Sequence, residues 1–276
     1  MPTPGSTVVR RQLGVRLRRL RDGAGKTDRD VEEANLASRA KLWRIETGKV
    51  PVKVADVRAL CWLYGADHAT TDALARLAVG TTGQGWWEDY SDVYPIGFGL
   101  YVGLEATAAE LQVYDPELVH GLLQTPDYAR ALYWALYPQG TERDADRLAE
   151  LRLERQHALT RRTPPLRLTA VLGAGALARQ VGGRRVIAAQ EARLRELAAR
   201  DNIDIRVLPW EAGAHAAIHL GPVAIIDLPD PDDPSVVYLE AHTGARYRER
   251  PEDLAEYRRI YALTYQKSIP IEEYSS

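Results

Sequence analysis

The stretch "SRAKLWRIETGK", residues 38–49, sets Arg39, Lys41, Trp43, Arg44 and Lys49 around only two large aliphatic residues, Leu42 and Ile45. Guanidinium groups donate paired hydrogen bonds to planar acceptors, and ammonium groups meet point charges, so the chemistry on offer is recognition of a polyanion. Leu42 and Ile45 are three apart and share one face of a helix. Ser38 is a good N-cap, and Gly48 is a helix stop. The spacing predicts a short helix with a buried aliphatic face and a cationic outer face. A charged helix face is equally a solvated surface, so the neighbouring elements must decide.

Other residues offer different chemistry. His215 and His219 are four apart and His242 follows Glu240, a set that evokes a metal site. His215 sits in a glycine-flanked loop and His219 just before a strand, so helical ligand spacing does not apply, and satisfied or surface histidines are the favoured reading. The "GAGA" of residues 173–176 lacks the third glycine of a nucleotide fingerprint. No Ser, His and Asp order stands out. Trp86, Trp87, Tyr90, Tyr94 and Tyr101 could line an apolar pocket, although aromatic residues at this density more often form core. Glu105, Tyr128, His215 and Glu240 complete the candidates for contact with a ligand or partner. The expectation is a protein that is not an enzyme, with no cofactor and no metal.

Composition sets the frame for these residues. A chain of 276 residues, 45% hydrophobic, can bury a sizeable core. Its one cysteine, Cys61, excludes an internal disulfide framework and fits a reducing compartment. No apolar run approaches a membrane span and "MPTPGSTVVRRQ" lacks a signal-peptide core, so a cytoplasmic location is expected. Net charge is −2, unevenly spread: residues 1–80 carry 15 Lys or Arg against 9 Asp or Glu, and the remainder 21 against 29. That asymmetry suggests a basic module that meets polyanions, joined to an acidic module with another task.

In the basic module, Val9, Leu13, Leu17 and Leu20 recur at three and four, one buried stripe. Thr27 caps a second helix, with Asp30 in its first turn and Val31 and Ala34 facing inward. Asn35, Leu36 and Ala37 form a turn before the cationic helix, and Val54, Val57, Leu60, Cys61 and Tyr64 mark a further helix. Two short helices joined by a three-residue turn have helix-turn-helix spacing.

"LRRLRDGAGKT" followed by "SRAKLWRIETGK" resembles the phage-repressor-type helix-turn-helix of the xenobiotic-response-element class, over about residues 9–65. The resemblance implies that the second helix enters the major groove of double-stranded DNA. Arg39, Ala40, Trp43 and Arg44 would then face bases, Lys41 would stand at the margin, and Thr27, Arg29, Ser38, Lys49 and Lys53 would lie along the backbone. It also implies an ion pair between Arg21 and Glu46. Two positions depart from the pattern. Asp28 stands where the family commonly has a phosphate-binding Gln, and Leu36 stands where it has a turn glycine. Asn35 tolerates positive φ better than leucine does, so the expected turn is shifted, with Leu36 in the core.

The remainder reads as an aromatic-rich segment and helices, including one over Arg143 to Arg161. Strands at "LRLTAVLG" and "IDIRVLPW" are separated by a helix carrying Val186, Leu194 and Leu197. "PVAIIDL" and "SVVYLEA" form a hairpin pair, and a last helix runs from Pro251 to about Lys267. The expected architecture is multidomain: an N-terminal all-α helix-turn-helix over 1–66, a linker or connecting helix over 67–85, and a C-terminal α/β or α+β domain with a small mixed sheet over 86–276. "VHGLLQTPDYARAL", "IDIRVLPW" with "AGAH", and "VVYLEAHTG" are similar to the effector half of actinobacterial WhiJ-type regulators, although Gly173 stands where relatives usually have an acidic residue. This resemblance implies an effector domain that senses a small molecule or a short partner protein encoded nearby, in an arrangement likened to antitoxins. One recognition helix reads few base pairs, so a homodimer on an inverted repeat is expected.

Overall fold

The computed structural model describes residues 6–81, 86–94, 98–162, 164–230, 233–241 and 244–275. The chain forms two compact units, Met1–Asp89 and Tyr90–Ser276. Among the described residues no helix is long and apolar enough to cross a membrane.

The first unit is helical: α1 (Ser6–Gly23), α2 (Asp28–Glu33), α3 (Arg39–Glu46), α4 (Val54–Leu63) and α5 (His68–Gly80). Leu13 and Leu17 of α1 are fully buried with Val31, Leu42, Ile45, Val57 and Cys61. α5, expected as a linker or connecting helix, contributes Leu74 and Ala78 to the same core. The helical unit therefore extends beyond residue 66.

Thr27 and Asp30 form a reciprocal capping box at the start of α2. Ala34 is exposed at the helix C-cap instead of facing inward, and Ala37 is buried in its place. The reason is the turn. Asn35 adopts φ 57°, its N–H bonds Glu32 O, and the Leu36 N–H bonds Val31 O, which ends α2 one residue earlier and swings Leu36 onto the core.

The second unit is a seven-stranded mixed sheet in the order β6-β5-β4-β1-β2-β3-β7. Its strands are β1 (Glu110–Asp115), β2 (Arg167–Gly173), β3 (Ile203–Leu208), β4 (Val223–Asp227), β5 (Val236–Ala241), β6 (Gly244–Arg248) and β7 (Ile269–Pro270). β1, β2 and β3 are parallel, with Leu111 beside Leu168 and Leu168 beside Ile203; β4, β5 and β6 are successively antiparallel. Helices α7 (Pro126–Leu136) and α8 (Glu142–Thr160) connect β1 to β2; α9 (Ala174–Ala178) and α10 (Arg184–Ala198) connect β2 to β3. The central strand β1 overturns the expectation that its segment is helical. β6 and β7 were likewise not read from the sequence.

α11 (Pro251–Gln266) covers one face of the sheet, where Tyr261, Tyr257 and Ile260 meet Tyr114, Val223, Ile225 and Val237. Side chains alternate across a strand, so Val113, Asp115, Ala224, Tyr238 and Glu240 belong to the opposite face. α6 (Phe98–Thr107) lies on that side, its Tyr101 ring 4.3 Å from that of Tyr238.

Candidate nucleic-acid interface and the cavity of the second unit

α3 is anchored from both ends. Ser38 Oγ accepts the Lys41 N–H at its start, and Gly48, at φ 69°, ends it while the Lys49 N–H bonds Arg44 O. Leu42 and Ile45 are buried, and Trp43 remains 54% exposed. The helix lies close against α1. A Cβ on Gly14 would stand 2.8 Å from Glu46 O, and one on Gly48 2.8 Å from Arg11 Cα. Gly48 is legible in the sequence as a helix stop and Gly14 is not marked at all, and nothing local signals that either lies at a close approach between distant segments.

Arg21 and Glu46 form a bidentate pair, Nε–Oε1 2.7 Å and Nη2–Oε2 3.0 Å, with side chains only 14% and 9% exposed. The hydrogen bond to Glu46 raises the Arg21 pKa against the opposing effect of burial. The pair ties the end of α3 to the end of α1.

The outer face is less simply cationic than its sequence. Arg39 lies 3.3 Å from Glu32 and 3.7 Å from Asp28, both on α2. Lys41 reaches Asp56 at 3.1 Å, and Arg29 pairs with Glu33 at 2.7 Å. The Arg44 Nε donates to Ala40 O at 3.3 Å, and the Lys49 ammonium sits 4.1 Å above the Trp43 ring. Ala40 and Lys53 are exposed, Lys53 at the N-cap of α4. Thr27, Asp28, Arg39 and Trp43 border one groove between the helices. The structure thus gathers Thr27, Ser38, Arg39, Ala40, Trp43, Arg44 and Lys49 around α3, with two carboxylates among them.

The remaining candidates scatter. Trp86 and Trp87 meet edge to face at 5.7 Å in the first unit, with Trp87 buried. Tyr90 lies under the Arg147 guanidinium at 5.2 Å. His215 packs on Tyr114 at 6.0 Å, on the α11 side of the sheet. His219 is exposed, and His242 lies outside the described residues. None of Trp86, Trp87, Tyr90 or His215 lines the cavity of the second unit, which corrects their grouping as one ligand set.

That cavity, about 180 Å³, opens at the carboxyl end of β1 and is bounded by α6, α7, α8, β4 and β5. Glu240 lines it. Glu105 sits behind the wall, pairing Arg155 through Nε–Oε1 and Nη2–Oε2 contacts of 2.7 Å each, both side chains nearly inaccessible. Tyr128 supports the rim, its hydroxyl accepting the Val119 N–H at 3.2 Å. The adjoining loop is held by Gln190, which accepts from Thr125 N and donates to Leu123 O, both at 2.7 Å.

His120 accepts the Leu122 N–H at Nδ1, so its Nε2–H donates to the Tyr101 hydroxyl at 3.0 Å. Burial, with Arg155 and Arg152 adding to it, lowers the His120 pKa and keeps the ring neutral. Burial, reinforced by Glu240, pushes Asp115 up to about 8. Arg152 is brought down to about 10, chiefly by burial. Asp115, His120, Gln124, Arg152 and Arg155 were missed in the sequence. One signal existed: Arg155 falls four residues after Leu151 and four before Leu159, inside the buried stripe of α8.

Residues 98–273 match the model of a family described as a domain of unknown function, DUF5753. The chain belongs to that family. The DUF5753 match begins at the first residue of α6 and takes in all seven strands together with the cavity. Residues 12–74 match a helix-turn-helix domain, running from α1 into α5, and a domain of that class points to DNA binding. No curated protein and no solved structure matches the chain.

The Gly173 departure has a local cause in this DUF5753 chain. Gly173 is the N-cap of α9, and a Cβ there would stand 3.0 Å from the Pro116 carbonyl carbon, so the backbone after β1 fills the space of a side chain.

Proposed function

We propose that the chain is a sequence-specific, non-enzymatic DNA-binding transcription regulator of the cytoplasm, with its DUF5753 domain as the input module. The observation that carries this reading is the anchoring of α3: Leu42 and Ile45 hold it down while Arg39, Ala40, Trp43 and Arg44 stay at the surface. Arginine there can bond guanine O6 and N7 together, and Ala40 can touch a thymine methyl. One such helix reads too few base pairs for tight binding, so the regulator acts as a homodimer on an inverted repeat. The resemblance to WhiJ-type regulators supports a small molecule or a short partner protein as the input.

Fluorescence anisotropy with a labelled duplex from upstream of its own gene tests the reading. Tight binding is expected there, at least about a thousandfold stronger than to random duplex. Equal affinity for both sinks it. Light scattering of the complex should give two protein chains per duplex.

A second reading, an antitoxin-type protein that sequesters a short partner encoded nearby, draws on the exposed Trp134, Leu136 and Tyr137 at the end of α7. Co-expression and copurification with the neighbouring gene product test it.

A further inference from the structure

The cavity in the DUF5753 domain presents two kinds of polar atoms, and four of them have no hydrogen-bond partner: Arg152 Nε and Arg155 Nη1, which donate, and Asp115 Oδ2 and Gln124 Oε1, which accept. A buried polar group left without a partner is costly. The supporting interactions explain why these atoms in particular are spare. Glu105 occupies Nε and Nη2 of Arg155 and leaves Nη1. Val119 O takes the Gln124 amide N–H, fixing the amide with its oxygen unpaired. Arg155 and Gln124 are thus fixed by other hydrogen bonds and each keep one atom to offer.

The donors and the acceptors come from different elements. Both donors come from α8, three residues apart and so on one helix face. The acceptor Asp115 ends β1, with Glu240 beyond it on β5. Asp115 lies within electrostatic reach of Arg152, Arg155 and Glu240. The rest of the wall is apolar, including Phe98, Leu132, Leu136 and Leu148. Open α/β sheets bind ligands beyond the carboxyl ends of their parallel strands, and β1 ends here. A dry cavity of about 150 Å³ accommodates the six carbons of benzene, so this one, about 180 Å³ and open at one end, encloses roughly seven non-hydrogen atoms of a compound that can extend to its mouth.

We propose that this cavity binds a small zwitterion, a carboxylate and a protonated amine on an apolar body, as in an apolar α-amino acid. The carboxylate meets Arg152 Nε and Arg155 Nη1; the ammonium meets Asp115 Oδ2 and Gln124 Oε1, with Glu240 alongside; the apolar body lies on Leu132, Leu136 and Leu148. A simple anion would leave both acceptors unmet, and a simple cation both donors. Charge agrees. Glu105 already neutralises Arg155, and Asp115 keeps its proton at neutral pH in the free protein, so the walls of the empty cavity carry little net charge; the arriving ammonium displaces that proton to solvent, and Asp115 then accepts as a carboxylate. The inference rests on the input role proposed above only for its regulatory meaning; binding itself is independent of DNA.

Titration calorimetry on the full chain tests it, with L-leucine and L-phenylalanine as probes. 4-Methylpentanoate and 3-methylbutylamine, the leucine skeleton without amine or without carboxylate, serve as controls. At least one amino acid should bind, with both single-charge analogues about tenfold weaker or worse, the loss of one good polar contact. Asp115→Asn and Arg152→Gln should each weaken binding about tenfold while the protein still melts cooperatively. Arg155 is avoided because its loss would strand Glu105. No heat with either amino acid at millimolar concentration, or equal binding of an analogue, overturns the proposal. Anisotropy with DNA separates the two readings: a chain that binds leucine but no DNA loses the regulator reading alone, and one that binds DNA but no zwitterion loses this inference alone.

Discussion

Arg39, the first residue of α3, lies 3.3 Å from Glu32 on the preceding helix. An arginine proposed to face DNA is thus held by a carboxylate of its own chain, and Asp28 stands close by at 3.7 Å. An exposed pair of this kind is worth about 0–1 kcal/mol, whereas a carboxylate beside phosphate is repelled. Glu32→Gln should therefore raise affinity for operator and random duplex alike, by about two- to fivefold at low salt. Anisotropy titrations at two salt concentrations check it, and unchanged affinity would place α2 away from the backbone.

Arg44 and Lys53 should differ in kind. Arg44→Ala removes a guanidinium proposed to face bases and should cost about 1–3 kcal/mol on the operator with little effect on random DNA. Lys53→Ala should weaken both about equally and reduce the salt slope by about one. Equal losses on both duplexes for Arg44→Ala would return α3 to the status of a solvated face.

The Arg21–Glu46 pair is mostly buried, and Glu46→Ala would leave a guanidinium uncompensated. A loss of about 3 kcal/mol in the first unit is expected. Hydrogen exchange of the α1 and α3 amides in the full chain reads it; unchanged protection would mean that the helices hold without the pair.

Gly14→Ala offers a backbone test. Alanine favours a helix interior by about 1 kcal/mol over glycine, yet here its Cβ would press on the carbonyl end of α3. The clash should dominate, with a net loss of about 1–3 kcal/mol and weaker DNA binding as α3 is displaced. A higher melting temperature would show that α3 can move aside freely.

Asp115 gives the domain a pH dependence of definite sign. With the carboxyl pushed up to about 8, the native chain keeps this proton over a range in which the unfolded chain has lost it. The stabilisation is complete below the unfolded carboxylate pKa, near 4, and is lost as pH rises through 8. The groups facing it are Glu240 from β5, Arg152 and Arg155 from α8, Tyr101 from α6 and the neutral His120. Asp115→Asn should thus gain stability over the natural chain, and more at pH 8.5 than at pH 5. A gain of about 1 kcal/mol corresponds to ~2–4 °C in melting temperature. Calorimetric scans at both pH values check it; an equal difference at the two would mean that Asp115 ionises normally.

The helical unit was legible because its signals are local. Leu13 and Leu17 keep helical spacing, Thr27 and Ser38 cap in the places their hydroxyls suit, and Asn35 was the residue near the turn best able to take positive φ. β1 was hidden for the opposite reason. "ELQVYD" alternates over only a few residues and owes its strand to β2 and β4, both distant in sequence. The cavity was hidden too, since Asp115, Gln124 and Arg155 are separate in the chain and resemble ordinary surface polar residues until the fold encloses them. Glu105 and Glu240 stand among the candidates for ligand contact, and only the fold places one behind the wall and the other on it.

β1 is the first strand of the sheet to leave the ribosome and the one with the most neighbours to wait for. Its partner β2 follows two helices later, and β4, whose Ile225 pairs with Gln112, comes only after β3. Until then one edge of a hydrophobic strand stands open, an invitation to pair with another chain. Such long-range closure slows folding, so the nascent domain depends on keeping that edge out of reach for most of its synthesis. Chains truncated before Val223 should accumulate as aggregates rather than as soluble fragments.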